Sequence, residues 1–331
     1  MTTTATTTSP GIRSVTPYLA VRPAVELIEF VKRAFGAQEV LRTTGSGGGV
    51  HAEVRIGDTR VMIGGGGAWG GTPTPTALHL YVPDADRVYQ AALEAGADSL
   101  RTPVDQPYGD REASVKDMAG NHWYIATHQT GSHVPEGLGT VTPYLHPRGA
   151  PALVEFLKRA FAAEEMFVHR GPEDTIVHAK IRVGGSVIEM GEAHDEWGPM
   201  PTMFYVYVDD VDAWYRRALA AGAAPMEPPA LQPYGERRAA VRDARNQAVA
   251  EVQKAQSRYS AAGPELRAVF FQQLRDAQRQ YAERSLALMD FLDARERRAL
   301  VRYEEEIARI NRLLEERARS RGELEKLLKG D

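Results

Sequence analysis

The chain has 331 residues, 43% of them hydrophobic and 25% charged, which is ordinary for a globular protein longer than one typical domain. Its net charge of −4 lacks the basic excess expected of a nucleic-acid binder, so no nucleic-acid partner is expected. It has no cysteine, which excludes disulfides, thiolate metal sites and a cysteine nucleophile.

In chain order, residues 1–13 form a Thr-rich segment without an apolar core, read as a disordered tail and not as a signal peptide. No apolar run approaches the roughly 20 residues of a membrane helix, so no membrane partner and a cytoplasmic location are expected. VTPYLAV (15–21) reads as a short strand. Val25, Ile28, Val31, Lys32 and Phe35 then follow helical spacing, closed by Gly36. VHAEVRI and TRVMIG read as strands joined by the hairpin signal Gly57-Asp58. LHLYV is another strand, and Asp84 or Asp86 is placed to cap the helix after it. ASVKD and HWYIATH are strands separated by the turn signal MAGN.

The chain then restarts. VTPYL recurs at 141–145, and EFVKRAFGA matches EFLKRAFAA at the same offset. VHAEVRI matches VHAKIRV, Trp69 matches Trp197, LYVPDADRVYQAALEAGA matches VYVDDVDAWYRRALAAGA, and QPYGDREASVKD matches QPYGERRAAVRD. Such a series marks an internal duplication. It bounds a first module at 14–130 and a second at 139–243, each itself a pair of β-α-β-β-(β) halves. The match stops after Asp243, where HWYIATH has no clear counterpart; QAVAEV is read as helix in preference to a poor strand.

From Ala244 on, glycine and proline nearly vanish, and 18 Lys+Arg stand against 15 Asp+Glu, compared with 22 against 29 before it. Gly263-Pro264 breaks and restarts the chain. Apolar residues at spacings of 3 and 4 follow, including Leu300, Tyr303, Ile307, Ile310 and Leu314. Residues 244–331 are therefore expected to form a long helical, coiled-coil-like region. Its apolar stripe calls for burial in a folded-back hairpin or by self-association.

Taken together, TPYL, EFVKRAFGA, IGDTRVMIGG, LYVPDAD, QPYGDREASVKD and GNHWYIATH resemble the vicinal oxygen chelate superfamily of glyoxalase/bleomycin-resistance proteins, in particular its PhnB-like branch. The resemblance implies an α+β fold: two tandem modules of paired βαβββ units forming half-open barrels that cup a small ligand. Many members hold a divalent metal at four strand positions. Carried over, these fall on Thr16 and Thr142, on Met62 and Glu189, on His79 and Tyr205, and on Tyr124. Only His79 and Glu189 are of ligand type, and they share a cavity only if each barrel combines halves of different modules. Two ligands are fewer than a catalytic metal ordinarily takes, so no cofactor is expected, with a divalent metal at His79 and Glu189 as the alternative.

Other candidates are weaker. His51 and His178 are repeat equivalents read as structural or solvent-facing. Glu192, His194, Asp195 and Glu196 make an acidic loop of the kind usually just solvated. GGGGAWGG (64–71) lacks the strand–loop–helix setting of a phosphate loop and reads as a flexible linker. The aromatic residues carry more: Tyr18, Tyr81, Trp123, Tyr124, Tyr144 and Tyr207 are the expected wall of a cleft for a flat organic ligand. Three functions follow as expectations: small-molecule binding without chemistry, a metal-dependent lyase, isomerase or dioxygenase, or a helix-assembled scaffold with degenerate modules.

Overall fold

The computed structural model describes residues 13–45, 47–194, 197–243, 252 and 255–329. Apart from Arg13, the segment read as a disordered tail lies outside these residues, as does QAVAEV at 247–252 except Val252. The chain divides into two compact units, Met1–Asn246 and Gln247–Asp331.

The first unit carries the duplication. Its first copy runs β1 (Val15–Val21), α1 (Ala24–Phe35), β2 (Gln38–Thr44), β3 (Val50–Ile56), β4 (Thr59–Gly65), β5 (Ala77–Tyr81), α2 (Ala85–Glu94), β6 (Asp98–Asp105), β7 (Asp110–Lys116) and β8 (His122–His128). The second runs β9 (Val141–Leu145), α3 (Ala150–Phe161), β10 (Glu164–Arg170), β11 (Ile176–Val183), β12 (Ser186–Met190), β13 (Met203–Val206), α4 (Val211–Ala220), β14 (Ala223–Leu231) and β15 (Arg237–Asp243). The α+β order is the one the repeat predicted. Strands β2 and β6 escaped the sequence reading for a physical reason. Every residue of β2 is exposed and β6 nearly so, and an edge strand without a buried face shows no apolar alternation.

Asp84 and its equivalent Asp210 cap α2 and α4, their side chains accepting from Arg87 N and Ala213 N at 2.9 Å. Asp86, the other capping candidate, instead pairs with Arg111 at 2.5 and 2.8 Å.

The strands form two large open sheets and a hairpin, and the sheets ignore the repeat boundary. A five-stranded sheet runs β13-β1-β4-β3-β2, and an eight-stranded sheet runs β10-β11-β12-β9-β5-β8-β7-β6. Each combines the first half of one copy with strands from the second half of the other. The joints are antiparallel ladders, β1 on β13 (Thr16 opposite Tyr205) and β5 on β9 (His79 opposite Thr142). Among the described residues the β14–β15 hairpin stands as a separate two-stranded sheet. In the first copy β8 lies between β5 and β7; the chain that would take its place beside β13 lies outside the described residues.

The apolar cores follow the repeats instead. One core gathers Leu19, Leu27, Phe30, Ile63, Leu78, Leu80, Trp123 and Ile125, mostly from the first copy. The other gathers Val154, Phe156, Leu157, Ile181, Ile188 and Met190, mostly from the second. Helices pack on the outer faces of the sheets, leaving the inner faces to polar and aromatic side chains.

In the second unit residues 255–261 are helical, and after Gly263 a single helix, α5 (Pro264–Lys329), runs unbroken for 66 residues. Its length is roughly 100 Å. Tyr259 packs against Phe271 with ring centroids 5.9 Å apart. Val301, Ile307, Ile310 and Leu314 are exposed along α5. Among the described residues no helix is long and apolar enough to cross a membrane.

The two copies also solve one helix end differently. Gly36 closes α1 in the left-handed region at φ 64°, and its equivalent Ala162 closes α3 at φ 52°. A Cβ strains that conformation by about 1 kcal/mol, whereas glycine adopts it freely. Chemical denaturation is expected to show Ala162→Gly stabilising the first unit and Gly36→Ala destabilising it, each by about 1 kcal/mol.

Candidate functional site

Alternation along β5 sends Leu78 and Leu80 into the core and His79 and Tyr81 to the concave face of the eight-stranded sheet. The ladders then surround His79: Tyr124 of β8 on one side, Thr142 of β9 on the other, and Glu189 of β12 one strand further, opposite Tyr144. His79 and Glu189, 110 positions apart, thus meet because the barrels combine halves of different copies.

The contact is direct. His79 Nδ1 lies 2.6 Å from Glu189 Oε2, and His79 Nε2 lies 3.3 Å from Glu112 Oε2. His79 is 8% exposed, Glu112 5% and Glu189 1%. Both partners accept, so the ring donates from both nitrogens and is an imidazolium. Burial opposes that charge, but the two carboxylates outweigh it and push the His79 pKa up to about 10. Burial alone would raise both carboxyls, yet His79 holds Glu189 and Glu112 below their usual value. The cluster continues outward. Lys180 Nζ and His178 Nε2 stand 3.5 and 3.7 Å from Glu189 Oε1. Tyr108 donates to Glu112 at 3.1 Å, and Arg101 lies 3.8 Å from it.

Aromatic rings wall this cluster. Tyr81, Tyr124 and Tyr144 stand 5.3–5.4 Å from the His79 ring, centroid to centroid. Burial, reinforced by the nearby carboxylates, raises all three phenols, so they stay protonated. Tyr124 Oη and His146 Nε2 share a hydrogen bond at 2.8 Å. Burial, aided by His122, His194 and His79, pushes the His146 pKa down to about 4, so this ring is neutral. Trp197 stacks on His146 at 5.8 Å, and Arg101 lies over Trp197. His178 stacks on Tyr144 at 6.0 Å. Beneath lies a buried floor; above it a more open rim carries Trp197, Arg101, Tyr108, His178 and Phe167.

The expected cleft aromatics divide three ways. Tyr81, Tyr124 and Tyr144 line this face. Tyr18 and Tyr207 lie on the five-stranded face, linked through Tyr205 at 5.7 and 6.2 Å. Trp123 belongs to neither: it is fully buried in the first core against Phe35, its indole donating to Asp117 at 2.9 Å. The odd and even positions of β8 face opposite ways, so Trp123 and Tyr124 cannot share a cleft.

Glu112, Lys180, Arg101 and His146 escaped the sequence reading. For Glu112 and His146 a signal existed in the repeat. Glu112 corresponds to Arg238 inside otherwise matching QPYG segments, and His146 corresponds to Ala20 after matching TPYL segments. Of the acidic loop, Glu192 accepts from Gly149 N and Ala150 N and so caps α3; Asp195 and Glu196 lie outside the described residues. His51, half-buried, meets Tyr18 Oη at 3.3 Å through Nδ1.

These residues do not fit a divalent metal. The two carboxylates lie on opposite nitrogens of His79 and do not converge on one point. The remaining positions of the implied ligand set hold Thr142 and Tyr124. Lys180 and the His79 imidazolium already supply the positive charge an ion would bring. Among the described residues no group of three or more His, Asp or Glu could hold a metal ion.

The two histidines make opposite pH demands. His79 is raised in the fold, so its contribution is complete below pH 6.5 and drains away as pH rises toward 10. His146 is lowered, so its contribution is complete above pH 6.5 and is lost as pH falls toward 4. Urea midpoints across that range are expected to fall on both sides, with His79→Gln removing the alkaline loss and His146→Gln the acid loss. An alkaline limb unchanged in His79→Gln would show that the imidazolium is not what the fold holds.

Comparison with known proteins agrees with this architecture. The Glyoxalase/Bleomycin resistance protein/Dioxygenase superfamily matches residues 12–125 and again 148–250. An uncharacterized protein of Mycobacterium bovis is 37% identical over 123 residues, covering 34% of this chain and 81% of that protein. An uncharacterized protein of Mycobacterium tuberculosis shows the same identity over 34% of this chain and 72% of its own length. Glyoxalase I from Zea mays superposes with a TM-score of 0.53 at 14% identity, over 69% of this chain and 92% of its own, a likeness of fold alone. With both halves of its duplication matched, the chain belongs to the Glyoxalase/Bleomycin resistance protein/Dioxygenase superfamily.

Proposed function

We propose that the chain binds a small, flat organic molecule on the concave face of the eight-stranded sheet and holds it without metal chemistry. One observation carries this reading. Rings from both copies, Tyr81 and Tyr124 from the first and Tyr144, His178 and Trp197 from the second, converge around a charge cluster that is already neutralised internally. Aromatic walls with a few polar tips suit a planar ligand. Because His79 spends both ring nitrogens on carboxylates, it sets the shape and polarity of the floor and does not ligate. The rim residues Trp197, Arg101 and Tyr108 supply the contact surface; Tyr108 is 62% exposed.

A titration of tryptophan fluorescence against a panel of planar aromatic compounds tests this. At least one compound is expected to bind, and its Kd to rise about 10-fold or more in Trp197→Ala and in Tyr144→Ala while Tyr18→Ala leaves it unchanged. A ligand held equally well by all three variants, or no ligand at all, would end the proposal.

The exposed Ile307, Ile310 and Leu314 of α5 support a second element of the proposal, self-association through this helix. They recur at spacings of 3 and 4, and a continuous helix cannot bury them against itself. Light scattering is expected to give a smaller assembly for a chain truncated after Asp243 than for the full chain; equal oligomeric states would refute assembly by α5.

A further inference from the structure

The second concave face is not a copy of the first. The positions of Glu189, His79 and Glu112 are taken on the five-stranded side by Met62, Tyr205 and Arg238. A carboxylate–imidazolium–carboxylate cluster is thereby replaced by a thioether, a phenol and a guanidinium, and the acidic member becomes basic.

The surroundings of Arg238 are specific. Its Nη1 donates to Tyr205 Oη at 3.3 Å, and its Nη2 donates to Glu227 at 2.5 Å. Its Nε is shielded from water and has no hydrogen-bond partner among the described residues. Nε–H and Nη2–H form one edge of the guanidinium, a fork matched to the two oxygens of a single carboxylate. Glu227 uses half of that fork, and with its side chain 53% exposed it is a weakly held occupant. Beside the fork runs a row of rings. His51, Tyr18, Tyr205 and Tyr207 follow one another at centroid separations of 5.7, 5.7 and 6.2 Å. Burial, with Tyr205 and Tyr234 adding to it, pushes the Tyr18 phenol up to about 12, so it remains a neutral donor.

We propose that the five-stranded face is a second ligand site, selective for small aromatic monocarboxylates. Arg238 is the anchor that binds the carboxylate through Nε and Nη2, and the Tyr18–Tyr205–Tyr207 row is the platform for the ring. The charge count sets the valence. A monoanion that displaces Glu227 takes over its single pairing with Arg238, while Glu227 turns out to water. A dianion brings a second charge that the Arg238 fork does not match, and Arg60, a cation near this face, is already engaged with Glu53. This site uses none of the residues of the eight-stranded face, so either reading stands or falls alone.

Calorimetric titration of the full chain with benzoate, and with the neutral benzamide, tests it. Benzoate is expected to bind at least about 10-fold tighter than benzamide. Arg238→Gln is expected to abolish that preference. Glu227→Gln, which removes the competitor and keeps the anchor, is expected to tighten benzoate several-fold. Tyr144→Ala, on the other face, is expected to leave benzoate unaffected. Equal affinity for the two probes overturns the proposal, as does no benzoate binding by either wild type or Glu227→Gln. Benzoate lost in Tyr144→Ala but retained in Arg238→Gln places the ligand on the eight-stranded face, which overturns this proposal and spares the earlier one.

Discussion

Two antiparallel ladders, β1 on β13 and β5 on β9, hold this architecture together. Within one copy the two halves share helices and an apolar core, but each half would present an open strand edge. Unpaired edges expose backbone donors and acceptors that must find partners. Here the partner edge comes from the other copy. The result is a division of labour: cores are built within copies, and concave faces are built between them. Each concave face is therefore lined by side chains of both copies, so the chemistry of a face and the joining of the copies are one physical problem.

The His79 cluster shows what that joining makes possible. A lone buried carboxylate or imidazolium is costly, because the interior cannot solvate it. Glu189 from one copy and His79 with Glu112 from the other become tolerable together. The imidazolium occupies the electrostatic place of a cation, and Lys180 and Arg101 extend the balance outward. Two carboxylates and two or three positive groups leave little net field for a divalent ion. The aromatic ring of Tyr144 and its neighbours then closes the cluster from water, which strengthens every charge–charge term inside it.

The two faces have diverged along the same strand positions. A register pair that is His79 and Thr142 on one side is Tyr205 and Thr16 on the other, and Glu112 has become Arg238. Duplication supplied two geometrically related surfaces; substitution then gave them different chemistry, one self-neutralised and one with a guanidinium fork only half paired among the described residues. Membership of the superfamily describes the scaffold that both share and does not by itself assign a ligand to either.

The sequence alone determined the duplication, the order of buried strands and helices and the helical character of the C-terminal region, and it narrowed the cap of α2 to Asp84 or Asp86. These are local matters: periodicity, turn chemistry and repeated segments are written in neighbouring residues. It also marked His79 and Glu189 as the pair to watch, with their meeting left open between two barrel pairings. Edge strands β2 and β6 were illegible because exposed strands carry no apolar alternation. Only the tertiary structure decided that the copies exchange halves, that Glu112 completes the His79 cluster, that Trp123 turns into the core while Tyr124 turns to the concave face, and that Tyr18 and Tyr207 belong to a different face from Tyr81 and Tyr144. Each of these depends on which strand edge pairs with which, and on the side of a strand that faces the helices. Those choices are made by contacts between residues far apart in the chain, so no local pattern records them.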